Sequence, residues 1–268
     1  LDVFEWIDKM DYSKFFVDYK LVFGSVIGEK YAQYIKGNTV LAGSIPNNFV
    51  RKEQLPEPGV IAFVSAWEND SVWVEAFARP VDCLLLPFLM HYAKEKNKRL
   101  VIIPRMPGFS EPRVREEAYF EDLMGCEAEF LRPERTCAGI HAIDSAEIVV
   151  LTDSTLGYES IARGNKTAFF SITRKLYKGE TTPMHLYFGW PKDLPDEGPF
   201  WTNNPSPDSF VRILDYLFEV DDAQWRKDIE SINFSSLMVY NPGNTILKSI
   251  LEEELGDPPV FEGLNSSG

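Results

Sequence analysis

The sequence predicts an α/β fold with a mainly parallel sheet covered by helices on both faces. Three observations predict it: short β-branched runs, amphipathic stretches of ten or more residues between them, and turn formers at the junctions. Apolar residues make up 44% of the 268 and charged residues 25%, which supplies a sizeable core. Strands are expected at Val60 to Ser65, Leu100 to Pro104, Ala128 to Leu131, Glu147 to Leu151 and Thr167 to Ser171. Helices are expected at Val81 to Lys96, Arg115 to Met124, Leu156 to Arg163, Pro207 to Phe218, Asp222 to Ile232 and Asn244 to Leu255. This alternation is Rossmann-like.

Ahead of these elements, Phe15, Phe16, Tyr19, Val22, Phe23, Ile27, Tyr31 and Tyr34 recur at three- and four-residue spacings. That spacing predicts a helix from Tyr12 to Ile35, interrupted near Gly24 and Gly28, as a preface to the domain. The run from Thr39 to Ser44 then reads as the first strand of the sheet, ended by Pro46-Asn47-Asn48. The expected organisation is a helical preface over 1–38, a Rossmann-like domain over 39–255 and an irregular tail over 256–268. The stretch from Arg174 to Asn204, rich in Gly and Pro, is too long for an ordinary connection and marks a functional loop.

Composition excludes several classes. With 27 Lys and Arg against 41 Asp and Glu, the net charge is -14, which repels nucleic-acid backbones. No apolar run reaches the roughly 18 residues of a membrane span. Cys83, Cys126 and Cys137 read as free thiols. His91, His141 and His185 lack zinc spacing, and no metal or other cofactor is expected. The phosphate-binding loop of kinases, the dinucleotide fingerprint and the serine-hydrolase elbow are all missing from the sequence. The opening residues carry acids where a signal peptide carries bases, and the first is not Met, which suggests an excised fragment of a cytoplasmic protein.

Chemistry concentrates in EIVVLTDSTLGYESIARGNKTAFFS, from Glu147 to Ser171. In a parallel sheet, ligands bind beyond the carboxyl ends of the strands, where a loop enters a helix. Asp153, Ser154 and Thr155 stand at that junction: their hydroxyls, the unpaired backbone N–H groups and the positive helix end suit a phosphate. Gly157 is expected to let the ligand approach closely, and Glu159 to accept ribose hydroxyls. The same residues also read as an ordinary helix cap with a first-turn acid, and Asp153 as a turn former. Arg105, at the carboxyl end of its strand, suits a phosphate or a sugar carboxylate, with a surface salt bridge as its plain alternative. The backbone of Pro104 and of Met106 to Gly108 is expected to meet the base.

Ser44, Ser65, His141 and Lys175 are further candidates for donor or acceptor contacts, Lys175 with Arg174 as a charge-neutralising pair. His91 reads as a packed helix residue, Glu68 and Asp70 as a solvated loop, and Trp190 and Trp201 as core. No side chain is singled out as catalytic.

The string Asp153-Ser154-Thr155, Gly157, Glu159, Gly164 and Lys166 resembles the nucleotide-binding motif in the C-terminal domain of GT-B glycosyltransferases. The resemblance extends to Gly43-Ser44 with Asn47-Asn48, to Phe23 through Asn38, and to Gly198 through Thr202. It is strongest to bacterial surface-carbohydrate transferases using CMP-activated acidic sugars of the Kdo or nonulosonic type. The match departs from sialyltransferases, whose His-Pro pair is replaced here by Pro104-Arg105.

The resemblance implies a glycosyltransferase of surface-polysaccharide biosynthesis that moves a sugar from a nucleotide-activated donor, CMP-linked, to a glycan or lipid-linked acceptor. The alternatives are a UDP-sugar transferase or epimerase, a CDP-polyol phosphotransferase on the same scaffold, or a non-catalytic nucleotide-binding module. It also implies an N-terminal GT-B domain outside this chain, and work at the inner face of the membrane by peripheral association.

Overall fold

The computed structural model describes residues 15–53, 55–70, 74–108, 110–131, 136–152, 154–172 and 187–256. Five parallel strands form the main sheet: β3 (Glu57–Val64), β4 (Arg99–Ile103), β5 (Ala146–Leu151), β6 (Thr167–Phe170) and β7 (Trp201–Thr202). Their order is β4-β3-β5-β6-β7, so β5 lies at the centre, flanked by β3 and β6. Val60 to Val64 and Ile148 to Leu151 are buried without alternation, as strands covered on both faces must be. The register pairs Val64 with Ile103, Phe63 with Val150 and Leu151 with Phe169, which aligns the carboxyl ends along one edge.

The helices that cover this sheet are α3 (Arg79–Glu95), α4 (Glu111–Met124), α5 (Ala138–Ser145), α6 (Thr155–Ala162), α7 (Pro207–Glu219) and α8 (Asp222–Ser231). Helix α7 shows how the sequence sets them: a capping box joins Ser206 and Ser209, and Phe210, Ile213, Leu214 and Leu217 repeat on one buried face. Phe210 stacks on Phe170 of β6 with ring centroids 3.9 Å apart. Trp201 is buried at the far edge of the sheet, as a core residue.

Four elements differ from the sequence reading. Residues Phe16–Val22 form a strand, β1, and only Ser25–Ala32 form a helix, α1. Strand β1 pairs in parallel with β2 (Lys36–Leu41), which makes a β-α-β unit of its own and not the start of the main sheet. Strand β2 runs through the boundary expected between 38 and 39. A spacing of three and four fitted a helix here because β1 has little burial alternation to betray it: only Lys20 and Val22 are buried along it. After β2, Ile45–Phe49 form a short helix, α2, where a loop was expected, capped by Ser44. Residues Ala128 to Leu131 contribute one bridge, Phe130 to Ile102, beside β4.

The β-α-β unit is fastened to the main domain through buried polar groups. Gly43 has φ +72°, and a Cβ there would lie 2.2 Å from the Val239 carbonyl oxygen, so the chain passes against 236–239 only as glycine. Asn48 donates to the Ala42 carbonyl (2.6 Å) and accepts from the Asn241 amide (2.8 Å). The last helix, α9 (Thr245–Leu255), returns to the unit, where the Tyr19 hydroxyl donates to Glu254 at 2.5 Å.

Candidate nucleotide site at the carboxyl edge of the sheet

Helix α6 starts directly beyond the carboxyl end of β5, the strand flanked by β3 and β6. Ser154 is its N-cap, with extended backbone and a side-chain oxygen that accepts from the Leu156 amide at 3.3 Å. Thr155 is exposed at the first helical position. The positive end of the helix therefore lies at the sheet edge beside two hydroxyls, an arrangement chemically suited to an anion. Asp153 and Lys175, with Arg174 and His185, lie outside the described residues.

Gly157 serves packing. It is buried, and a Cβ there would meet Leu151 Cδ1 at 2.3 Å and Phe169 Cζ at 2.6 Å. The expectation that it opens space for a ligand is corrected: its bare face is turned to the sheet and lets α6 sit close on β5 and β6. Gly164, with φ +82°, ends the helix turn, and Lys166 donates to the Val220 carbonyl at 2.6 Å. These two motif residues are structural.

Glu159, one turn into α6, is half-buried and accepts a hydrogen bond from the Ser44 hydroxyl. Burial pushes its carboxyl above the usual range, against the opposing pull of the Ser44 hydroxyl and the Arg163 guanidinium. Ser44 is buried and also accepts from the Asn47 amide at 3.4 Å, so it joins the cap of α2 to α6. His141 lies half-buried on α5, whose Gly139 approaches Leu156 in the first turn of α6. His91, expected to be packed, has a side chain 78% exposed and lies 3.5 Å from Glu95.

Arg105 follows β4 at the same edge. Its guanidinium meets Glu68, in the loop after β3, at 2.7 Å. The backbone here faces inward: the amides of Arg105 and Met106 donate to the two oxygens of Glu116 at 2.8 and 2.9 Å, and Arg113 donates to the Met106 carbonyl at 2.7 Å. The Met106 amide and carbonyl are therefore engaged within the protein. Ser65 is buried; it accepts from the Trp67 amide at 3.1 Å and bonds the Glu116 carboxylate. Sequence reasoning missed Glu116, a fully buried acid on α4 that ties the ends of β3 and β4 together. Desolvation raises its carboxyl while those four partners oppose the rise. Its only sequence signal is the pair Glu116-Glu117 within a helix with few other distinguishing marks.

The C-terminal end of α6 is closed by Arg163. Its buried guanidinium pairs with Asp144 and donates to the carbonyls of Asn47 (3.0 Å) and Val50 (2.8 Å) and to the Tyr240 hydroxyl (3.1 Å). Asn165 adds a hydrogen bond to Asp144 at 2.9 Å. Among the described residues no group of three or more His, Cys, Asp or Glu is placed to hold a metal ion, and no helix is long and apolar enough to cross a membrane.

Comparison with solved structures agrees with this architecture. The wall teichoic acid polymerase TagF superposes with a TM-score of 0.53 at 15% identity, over 87% of this chain and 56% of that one. A TagF variant soaked with CDPG gives 0.52 at 15% identity, over 87% and 55%. A Listeria monocytogenes protein described as a "putative UDP-N-acetylglucosamine 2-epimerase" aligns over 91% of this chain and 61% of that one, with a TM-score of 0.45 at 14% identity. The chain thus spans little more than half the length of the TagF structures. Its α/β Rossmann-like fold, a mainly parallel sheet flanked by helices, matches a GT-B half-domain. No curated protein matches it in sequence. A family model covers residues 2–255, and the chain belongs to that family, described as "putative O-antigen biosynthesis protein".

Proposed function

We propose that this chain binds a nucleotide-activated donor across the carboxyl edge of its sheet and passes a sugar, with the nucleotide leaving, or a polyol phosphate, with the nucleoside monophosphate leaving, to an attacking hydroxyl of a surface-polysaccharide acceptor. The observation that carries the reading is the hydroxyl-capped start of α6 beyond the central strand β5, with the Glu159 carboxylate one turn further on. The phosphate lies on the helix N-terminus, and Glu159 exchanges Ser44 for ribose hydroxyls. As the bond to the nucleotide breaks, the leaving charge is stabilised by the N–H groups and the Ser154 and Thr155 hydroxyls. Membership of an O-antigen biosynthesis family supports the pathway class.

A CDP-linked polyol is favoured over the CMP-linked acidic sugar that the motif suggested. The TagF structures that share the fold support this choice, two of them soaked with CDPG. A UDP-linked donor is the second enzyme reading. In the cell the chain would work at the inner face of the membrane.

An upstream domain completes the acceptor side in this reading. Parallel sheets are normally covered on both faces, yet Phe16, Val17 and Leu21 of β1 and Leu41 of β2 are exposed. Calorimetric titration with CMP, CDP, UDP and GDP tests the site. CDP is expected to bind most tightly, and Ser154→Ala and Glu159→Ala to weaken it about tenfold or more. Unchanged affinity in both variants would remove the assignment.

A further inference from the structure

We infer that Glu68 is a specificity residue of the nucleotide site: it holds Arg105 in the free protein and must yield it to the second phosphate of a nucleoside diphosphate donor. The inference rests on the reading of α6 as the phosphate site, and it names the donor class as a diphosphate. Arg105 and Glu68 project from the loops after β4 and β3, at the edge where α6 begins. Strand β5 is two places from β4, so at about 4.8 Å per strand roughly 10 Å of edge separates their carboxyl ends. A phosphate on the α6 N-terminus with a second one beyond it, and the length of an arginine side chain, together bridge that gap.

The pair is built into the edge. Arg105 is fixed at its backbone by Glu116, which also takes the Met106 amide. Ser65, at the end of β3, is bonded to the same carboxylate and holds the Trp67 amide one residue before Glu68. One buried acid thus sets the separation of the two loops, while both charged ends stay accessible, with side chains 49% exposed for Arg105 and 35% for Glu68. A guanidinium so placed is a bidentate partner for phosphate, and the carboxylate competes with that phosphate and repels it. The result is a brake on affinity that acts on a second phosphate and spares the first.

Titration of the whole chain with CDP and with CMP tests this, in the wild type and in Glu68→Gln, Arg105→Gln and the double variant. Glu68→Gln should tighten CDP roughly fivefold, the size of an exposed ion pair released to a ligand, and leave CMP unchanged. Arg105→Gln should bring CDP close to CMP, and adding Glu68→Gln to it should restore little. An unchanged thermal midpoint in Glu68→Gln establishes that folding is intact. Equal tightening of CMP and CDP, or none of either, would overturn the role of Glu68 while leaving the α6 site standing. Failure of the wild type to bind either nucleotide would overturn the site reading itself.

Discussion

The two ends of α6 are built in opposite ways. At its C-terminus Arg163 is buried, paired with Asp144 and bonded to two carbonyls and a tyrosine hydroxyl. At its N-terminus Ser154 accepts from the Leu156 amide at 3.3 Å through its side chain and from the Gly157 amide at 3.0 Å through its carbonyl, and the next residue is exposed. The helix is locked to distant residues at one end and capped locally at the other. The N-terminal turn is closed only by residues of the helix start itself, and the fastening that ties the helix to distant parts of the chain is supplied about 12 Å away, the length of an eight-residue helix.

The comparison breaks most severely at the locked end. Arg163→Met strands the buried Asp144 carboxylate and two carbonyls, and is expected to cost about 3 to 5 kcal/mol in urea unfolding. Asp144→Ala should cost a similar amount, and the double variant less than the sum. A loss below about 1 kcal/mol in both would show that the lock is dispensable.

Gly157 separates the two ends more sharply. Because its missing Cβ faces Leu151 and Phe169, Gly157→Ala is expected to destabilise by about 1 to 3 kcal/mol, less whatever alanine's helix propensity returns. CDP affinity of the folded protein should be unchanged. A stable variant with weakened CDP binding would instead restore the ligand-approach role.

Glu159 gives the smallest effect and the clearest sign. Burial raises its folded pKa above the unfolded value, so the stability it contributes is fully present below the unfolded pKa and is lost as pH rises through the folded one. Glu159→Gln should therefore unfold at a slightly higher temperature than the wild type at neutral pH, with the gain vanishing in acid. Nucleotide affinity has the opposite dependence. The ionised carboxylate is the form that accepts two ribose hydroxyls, so wild-type affinity should fall on acidification at a pH above the ordinary glutamate range, and the Gln variant should be weaker and flat. Thermal melts and titrations across pH 4 to 8, roughly the span over which carboxyl groups in proteins titrate, check both slopes.

Much of this was legible in the sequence where burial on both faces made it so. Strands β3 to β6 read as apolar runs, and Ser154-Thr155 after Leu151 marks the start of α6 in the sequence itself. Strand β1 was illegible for the converse reason: one buried ammonium, Lys20 donating to the Ile35 carbonyl, does the work of a core residue there, and no hydropathy period reports that. Glu116 was hidden because its partners are backbone amides at the end of another strand. Gly157 was placed correctly in the motif and given the wrong face, since sequence fixes a helical position and not which neighbour it turns toward.

The most direct test of the central claim is a crystal structure of the chain with CDP. The account predicts a phosphate within hydrogen-bond distance of the Ser154 and Thr155 hydroxyls and the first amides of α6, with ribose oxygens on Glu159 in place of Ser44. A nucleotide bound elsewhere, with the Ser44 to Glu159 hydrogen bond intact and nothing at the helix N-terminus, would contradict it.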